Sequence, residues 1–202
     1  MQNLLAESDV MVVLKSGTAE KHQAVESLMP FFREQFSLQD YTRTLAAFLG
    51  FFEAVEEALR GAADWSDVGI DIQDRSRAHL LRNDLLALGL STSQIASLPR
   101  STSMPPIHNL ESALGCLYVL EGSTLGGQVI GRELARRFGI DASSGASFFL
   151  SHGSRVGEMW KEFCAVVRNH VQLPDCQLLA VEAARQTFSS LEHWMRKAVT
   201  HG

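Results

Sequence analysis

The sequence predicts an all-α protein, and two observations predict it. Apolar residues recur at three- and four-residue spacing almost throughout, and convincing period-two alternation is absent. A helix repeats every 3.6 residues and a strand every two, so this spacing gathers apolar side chains along helical faces. With 202 residues and 46% hydrophobic content the chain can bury a substantial core. Composition stays even across every break and no internal repeat appears, so one domain spanning residues 1–202 is expected.

Seven helices are expected, at residues 9–29, 38–60, 73–88, 91–98, 109–138, 154–171 and 174–199. The first carries Met11, Leu14, Thr18, His22, Val25 and Met29 at three- and four-residue steps and stops at Pro30. Ser37 begins the second as an N-cap, with Asp40 three residues on. The stretch 61–69 separates it from the third and fourth, which end at the Ser/Pro-rich loop of residues 98–106. Apolar residues run through the fifth as Leu114, Leu117, Tyr118, Val129, Ile130 and Leu134, and no proline interrupts between Pro106 and Pro174. The sixth follows a break at residues 139–153, and Pro174 suits the first turn of the last.

Charge and cysteine usage exclude several classes. A net charge of -5 and a pI near 5.8 argue against nucleic acid as the main partner. Arg132, Arg136 and Arg137 form the one basic cluster, either a solvated helix face or a local anion or partner patch. No window approaches 18 uninterrupted apolar residues and the N-terminus lacks a basic leader segment, so a cytoplasmic protein without a membrane partner is expected. Cys116, Cys164 and Cys176 are an odd number without a Cys-x-x-Cys pair and read as reduced thiols.

The fifth helix holds the main anomaly. Gly122, Gly126 and Gly127 stand at i, i+4 and i+5 and share one side of the helix, flanked by Gly115 and Gly131. Each costs about 0.8–1 kcal/mol relative to Ala in a helix interior. The glycines admit a flat ligand against the backbone, allow another helix to approach closely, or mark a break between two helices. Apolar residues on both sides favour one kinked or bent helix over two.

The first helix carries a second signal. His22 lies on its apolar face, where a core residue would point. Glu26, at i+4, can accept the hydrogen bond of one ring nitrogen and leave the other for a metal. Lys15, two turns earlier and about 10.5 Å along the axis, suits a cation at the edge of a ligand centred on His22. A di-iron bundle would need Glu-x-x-His pairs on two helices, and a zinc site would need a Cys/His cluster; the chain has neither. One ligating histidine opposite a glycine face points to a planar metal macrocycle, and haem held by one axial histidine fits.

These residues resemble the haem oxygenase family, in its bacterial biliverdin-producing branch associated with bacteriophytochromes. Leu14-Lys-Ser-Gly-Thr-Ala-Glu-Lys-His-Gln-Ala-Val-Glu is similar to the family's proximal helix. Tyr118-Val-Leu-Glu-Gly-Ser-Thr-Leu-Gly-Gly-Gln is similar to its distal helix, and the likeness continues through Met159-Trp-Lys-Glu-Phe and the last helix. The resemblance implies a bundle of about seven to eight helices with haem between a proximal and a kinked distal helix. It makes His22 the iron ligand, Glu26 its hydrogen-bonded partner and Lys15 a propionate-binding lysine. It places Gly122 and Gly126, with Gly127 beside them, against the haem, and offers Lys161 and Arg168 as further propionate partners. Ser123 stands where animal members carry an aspartate that orders the proton-delivering water, so Ser123, Thr124, backbone groups and waters are the proton-delivery candidates here.

The implied activity is opening of haem, both cofactor and substrate, by O₂ to biliverdin, CO and ferrous iron. No flavin or iron–sulfur motif is present, so electrons would come from a ferredoxin or a flavoprotein reductase, and a bacteriophytochrome could accept the product. Three other readings are open at this level. A haem carrier or sensor would use the same residues without ring opening, a thiaminase-like enzyme on this fold would use a cysteine such as Cys116, and a structural module would leave five helical glycines unexplained.

Overall fold

The computed structural model describes residues 9–200, with side chains described through residue 198. Residues 1–8, on which the expectation of no leader rests, lie outside the described residues. Among the described residues there are eight α-helices, one 3-10 turn and no strand.

The first long helix, α1, is Val10–Leu28; the Asp9 side chain accepts from the Met11 amide, and extended backbone at Met29 ends it before Pro30. α2, Leu38–Arg60, opens with a reciprocal Ser37/Asp40 capping box. The expected break at 61–69 contains a short helix, α3, Trp65–Val68, whose indole donates to the Leu59 carbonyl. α4 is Ala78–Ala87, shorter than expected. Glu56 of α2 is the cause: its carboxylate accepts from the Arg77 and Ala78 amides and fixes the helix start there. α5 is Thr92–Ala96, also a shortened form of its expectation.

The helix containing the glycine run, α6, is Leu110–Phe138, unbroken over 29 residues. Asn109 and Ser112 cap its start, and Gly139 at φ 67° closes it in the left-handed region. One helix therefore spans the run, and the two-helix reading is excluded. A 3-10 turn, Gly153–Arg155, takes the expected start of the next helix, so α7 is Val156–His170. α8 is Pro174–Thr200.

α8 organises the bundle, because both α1 and α6 pack along it while barely touching each other. Glycines make the contacts close. A Cβ at Gly115 of α6 would overlap the Ala180 carbonyl oxygen and stand 2.8 Å from its carbon. A Cβ at Gly17 of α1 would stand 2.7 Å from Cγ1 of Val181, the next residue along α8. Gly115 therefore serves helix packing, as one of the sequence readings allowed. Beside this trio, Trp194 of α8 donates to the Ala47 carbonyl and Tyr41 donates to the Gly145 carbonyl, each at 2.7 Å. Leu14, Leu45, Phe51, Leu81, Leu114 and Phe163 fill the interior.

Gly115→Ala pushes a methyl into backbone that cannot rotate away. It is expected to lower the unfolding free energy by about 1–3 kcal/mol, read by urea denaturation.

Candidate functional site

α1 and α6 both pack along α8 and make little contact with each other, which leaves an interval over α8, called the cleft below, between them. The two helices run side by side and approach each other at two levels. Toward their N-termini, the Tyr118 hydroxyl of α6 lies beside the Thr18 side chain of α1. At the other end, Arg137 in the last turn of α6 donates to the Arg33 carbonyl, past the end of α1, at 2.8 Å, and the rings of Phe36 and Phe138 meet at 5.5 Å. His22 is one turn past Thr18, and Gly122 one turn past Tyr118, so both follow the first approach at matching depth.

His22 is not in the core, contrary to its place on the apolar face. Its side chain is 55% exposed, because Phe188 of α8 fills the position beneath it and meets the imidazole edge-on at 5.6 Å. His22 is therefore not a core histidine, although its helical position points where a core residue would. Nδ1 lies 3.4 Å from a Glu26 carboxylate oxygen, which leaves Nε2 as the open nitrogen of the ring. Lys15 is exposed two turns earlier on the same helix.

The glycines of α6 divide into two groups. Gly127 is buried: a Cβ there would overlap the Phe149 carbonyl oxygen and stand 3.2 Å from its carbon. Gly131 is pressed by the side chain of Leu150. Gly127 thus faces the segment that follows α6, and the expectation that it shares the ligand face with Gly122 and Gly126 is corrected. The 100° between successive residues separates it from Gly126. At Gly126 a Cβ would meet nothing within 4 Å, and at Gly122 only the indole of Trp160, at 3.9 Å. Neither glycine is required by protein packing. Leu125 and Val129 beside them are 43% and 47% exposed, so this strip of α6 is flat, apolar and open.

Behind the strip, the same turn of α6 is gripped by buried charge. Arg77, 2% exposed, donates to the Leu120 carbonyl and, at 2.8 Å, to Ser123 Oγ. Its guanidinium lies over the rings of Phe52 and Phe148, at 5.2 and 4.9 Å from their centroids. Burial pulls Arg77 down from its ordinary pKa, and the Glu121 and Glu56 carboxylates oppose this. Arg75 pairs with Glu121, which is 1% exposed, and donates to the Met159 carbonyl of α7 at 3.0 Å. Burial raises the Glu121 carboxyl, and the two arginines pull it back. Ser123 donates its own proton to the Leu120 carbonyl at 2.7 Å.

Four polar atoms near this turn are buried without a protein partner: Glu121 Oε1, Gln128 Nε2, Ser151 Oγ and His152 Nε2. Such groups bind ordered water in folded proteins. His152 sits in left-handed backbone at φ 62°; burial, then the charges of Arg77, Arg75 and Arg155, lower its pKa and keep the ring neutral.

The remaining sequence candidates fare differently. Lys161 is exposed on α7. Arg168 is committed to Asp9, which it grips through two bonds of 3.0 and 2.7 Å, so its guanidinium ties α7 to the start of α1 and is not a free anion partner. Cys116 is fully buried beside Thr187, and burial pushes its thiol up to about 12, which removes it as a nucleophile. A separate cavity of about 410 Å³, lined by Leu28, Phe36, Arg33, Glu34, Asp40 and Arg43, contains neither His22 nor the glycines of α6 and balances its charges.

These observations fit a broad, flat ligand held from one side by an imidazole. A cleft whose glycines would otherwise be filled by Cβ atoms, with an open Nε2 on the opposite helix, provides for haem as the resemblance implies. Sequence reading missed Arg75, Arg77, Glu121 and Trp160. Only Glu121 left a local trace, as an acid inside an apolar helix that demands a buried partner. Because Gly126 faces open space, Gly126→Ala should raise stability by about 0.5–1 kcal/mol through helix propensity. Gly127→Ala should lower it by about 1–3 kcal/mol. Opposite signs in chemical denaturation check the division of the run.

Comparison with known proteins agrees with this geometry. The sequence model of the family described as Heme oxygenase matches residues 8–197. A heme oxygenase of Xanthomonas campestris pv. campestris is 34% identical over 155 residues, covering 75% of this chain and 82% of that protein. Heme oxygenase PigA of Pseudomonas aeruginosa is 28% identical over 173 residues, covering 85% and 84%. Among solved structures, the NO- and CO-bound heme oxygenase from Neisseria meningitidis superposes with a TM-score of 0.75 at 22% identity, over 93% of this chain and 90% of that one. Heme oxygenase from Leptospira interrogans gives 0.73 at 19% identity, over 94% and 100%. The two solved structures share the fold, and the family model spans nearly the whole sequence that builds the cleft: the chain belongs to the haem oxygenase family.

Proposed function

We propose that the cleft between α1 and α6 binds haem with His22 Nε2 as the axial ligand of the iron and Glu26 as the carboxylate that orients the ring through Nδ1. The observation that carries this reading is the pair of glycines, Gly122 and Gly126, left open while Gly115, Gly127 and Gly131 are filled by protein. Haem supplies the redox-active iron and is itself the molecule oxidised, to biliverdin, CO and ferrous iron. The chain acts as one domain and works on O₂ with electrons from an external donor, a ferredoxin or a flavoprotein reductase.

Each protein group has a definable task. Glu26, at 3.4 Å, favours the tautomer with hydrogen on Nδ1 and so presents the Nε2 lone pair. An imidazole pushes less electron density onto iron than a thiolate does, which disfavours the bond cleavage typical of thiolate enzymes. Gly122 and Gly126 leave room for a diatomic molecule between a ligand plane and the helix, and Leu125 and Val129 keep that space apolar.

Protons have a route consistent with the missing aspartate. The Ser123 hydroxyl donates to Leu120 O and accepts from Arg77, which leaves one lone pair. A water that donates one hydrogen to that lone pair keeps its second for the site. Arg77 fixes the hydroxyl, and waters on Glu121, Gln128, Ser151 and His152 would replenish it. Lys15 and Lys161 are the cations available to propionates. A cytoplasmic setting and a bacteriophytochrome as acceptor of biliverdin complete the proposal; among the described residues no helix is long and apolar enough to cross a membrane.

Hemin titration followed by reduction under air tests the reading. Decay of the Soret band with growth of red biliverdin absorption is expected, and a stable haem spectrum would reduce the protein to a carrier. His22→Ala should abolish ring opening and change the axial-ligand spectrum while the far-ultraviolet circular dichroism stays helical. Glu26→Gln should weaken hemin binding by about 10-fold or more. Unchanged spectra and turnover in His22→Ala would sink the ligand assignment.

A further inference from the structure

The open strip of α6 is not symmetric. Toward Gly126 it runs out to open space, whereas at Gly122 it meets Cη2 and Cζ3 of Trp160 from α7, each 3.9 Å from where a Cβ would stand. A flat ring lying between indole and helix needs a van der Waals contact of about 3.5 Å on each of its faces, so no ring passes Trp160 along the helix. The indole ends the strip.

Trp160 is also held firmly in place. Its ring packs on Tyr118 and on fully buried Phe163, each at 5.8 Å between centroids. Tyr118 in turn lies beside Thr18 of α1. One residue before Trp160, the Met159 carbonyl receives Arg75, and Arg75 pairs with Glu121, one residue before Gly122. The same buried guanidinium thus sets the position of the indole relative to the glycine.

A consequence follows from the shape of the ligand. A porphyrin core is close to four-fold symmetric, and a bond from His22 at its centre is an axis about which the ring can turn. Axial ligation therefore does not choose which meso carbon lies where; contacts at the rim must choose. We propose that Trp160 is a specificity-determining residue, the in-plane stop whose contact with one rim of the macrocycle fixes its rotation in the cleft and hence the positional isomer of biliverdin released. The inference rests on the haem reading given above.

Two measurements test it together: chromatography of the biliverdin isomers after turnover, and the hyperfine-shifted methyl resonances of the ferric hemin complex in proton NMR, which report ring rotation without turnover. Trp160→Ala should change the isomer ratio by roughly fivefold or more, the equivalent of about 1 kcal/mol, and should add a second set of methyl resonances. Trp160→Phe, which keeps an aromatic wall, should retain the wild-type pattern. An isomer ratio and a methyl pattern in Trp160→Ala identical to wild type would overturn the proposal. If circular dichroism shows that the alanine variant has lost its helices, Trp160→Leu carries the same two expectations. A wild-type protein that takes up no hemin overturns the haem reading itself, and this inference falls with it.

Discussion

The cleft exists because α1 and α6 are both pulled tightly onto α8 at one level. Gly115 meets the backbone of Ala180 and Gly17 meets the side chain of Val181, so two adjacent residues of α8 receive a glycine from each wall. Helix axes approach this closely only where a side chain is missing, and the shared contact fixes the separation of the walls without either touching the other along its length. The approach of Tyr118 to Thr18 marks where they last meet before His22 and Gly122. A tertiary contact made by glycines thus creates the opening that other glycines then leave unfilled.

A second constraint keeps the opening in shape. A helix containing Gly122, Gly126 and Gly127 has little intrinsic stiffness, since each glycine weakens it. Arg77 compensates by binding the Leu120 carbonyl and Ser123 Oγ, and Arg75 by pairing with Glu121 while holding α7 through Met159. Charges this deeply buried are tolerable only when paired and hydrogen-bonded, and Glu121 with its two arginines satisfies that condition. The electrostatics behind the strip and the apolar surface in front of it belong to one turn of helix. This pairing gives a glycine-rich segment a rigid back and an open face.

The loss of an acid at Ser123 also takes on a physical meaning. A carboxylate would bring charge next to the open strip; the hydroxyl brings a fixed acceptor held by a buried cation on one side and a backbone carbonyl on the other. The acid of this turn is Glu121, one residue before Gly122, buried and paired with Arg75. His152, neutral and strained beside the same arginines, belongs to that hidden polar layer. The strip itself is apolar, and the buried charges of this turn lie on its other side.

Seven of the eight helices among the described residues, the expensive glycine run and the i, i+4 pairing of His22 with Glu26 were legible in the sequence, because periodicity, capping and spacing act within a single element; the short α3 was not. The sequence foresaw α2 to the residue and α6 as one helix, since Ser37, Asp40 and uninterrupted apolar spacing are local signals. The packing around α6 sorted five glycines of equal local cost into three pressed by protein, one that meets only Trp160 and one that faces open space. Only the tertiary structure placed His22 at the surface, gave Arg168 to Asp9, and brought Arg75, Arg77 and Trp160 to the motif. Arg75 and Arg77 reach Glu121 and Ser123 across 46 residues of chain. What lies against a helix face is decided by such distant partners, and no local spacing encodes them.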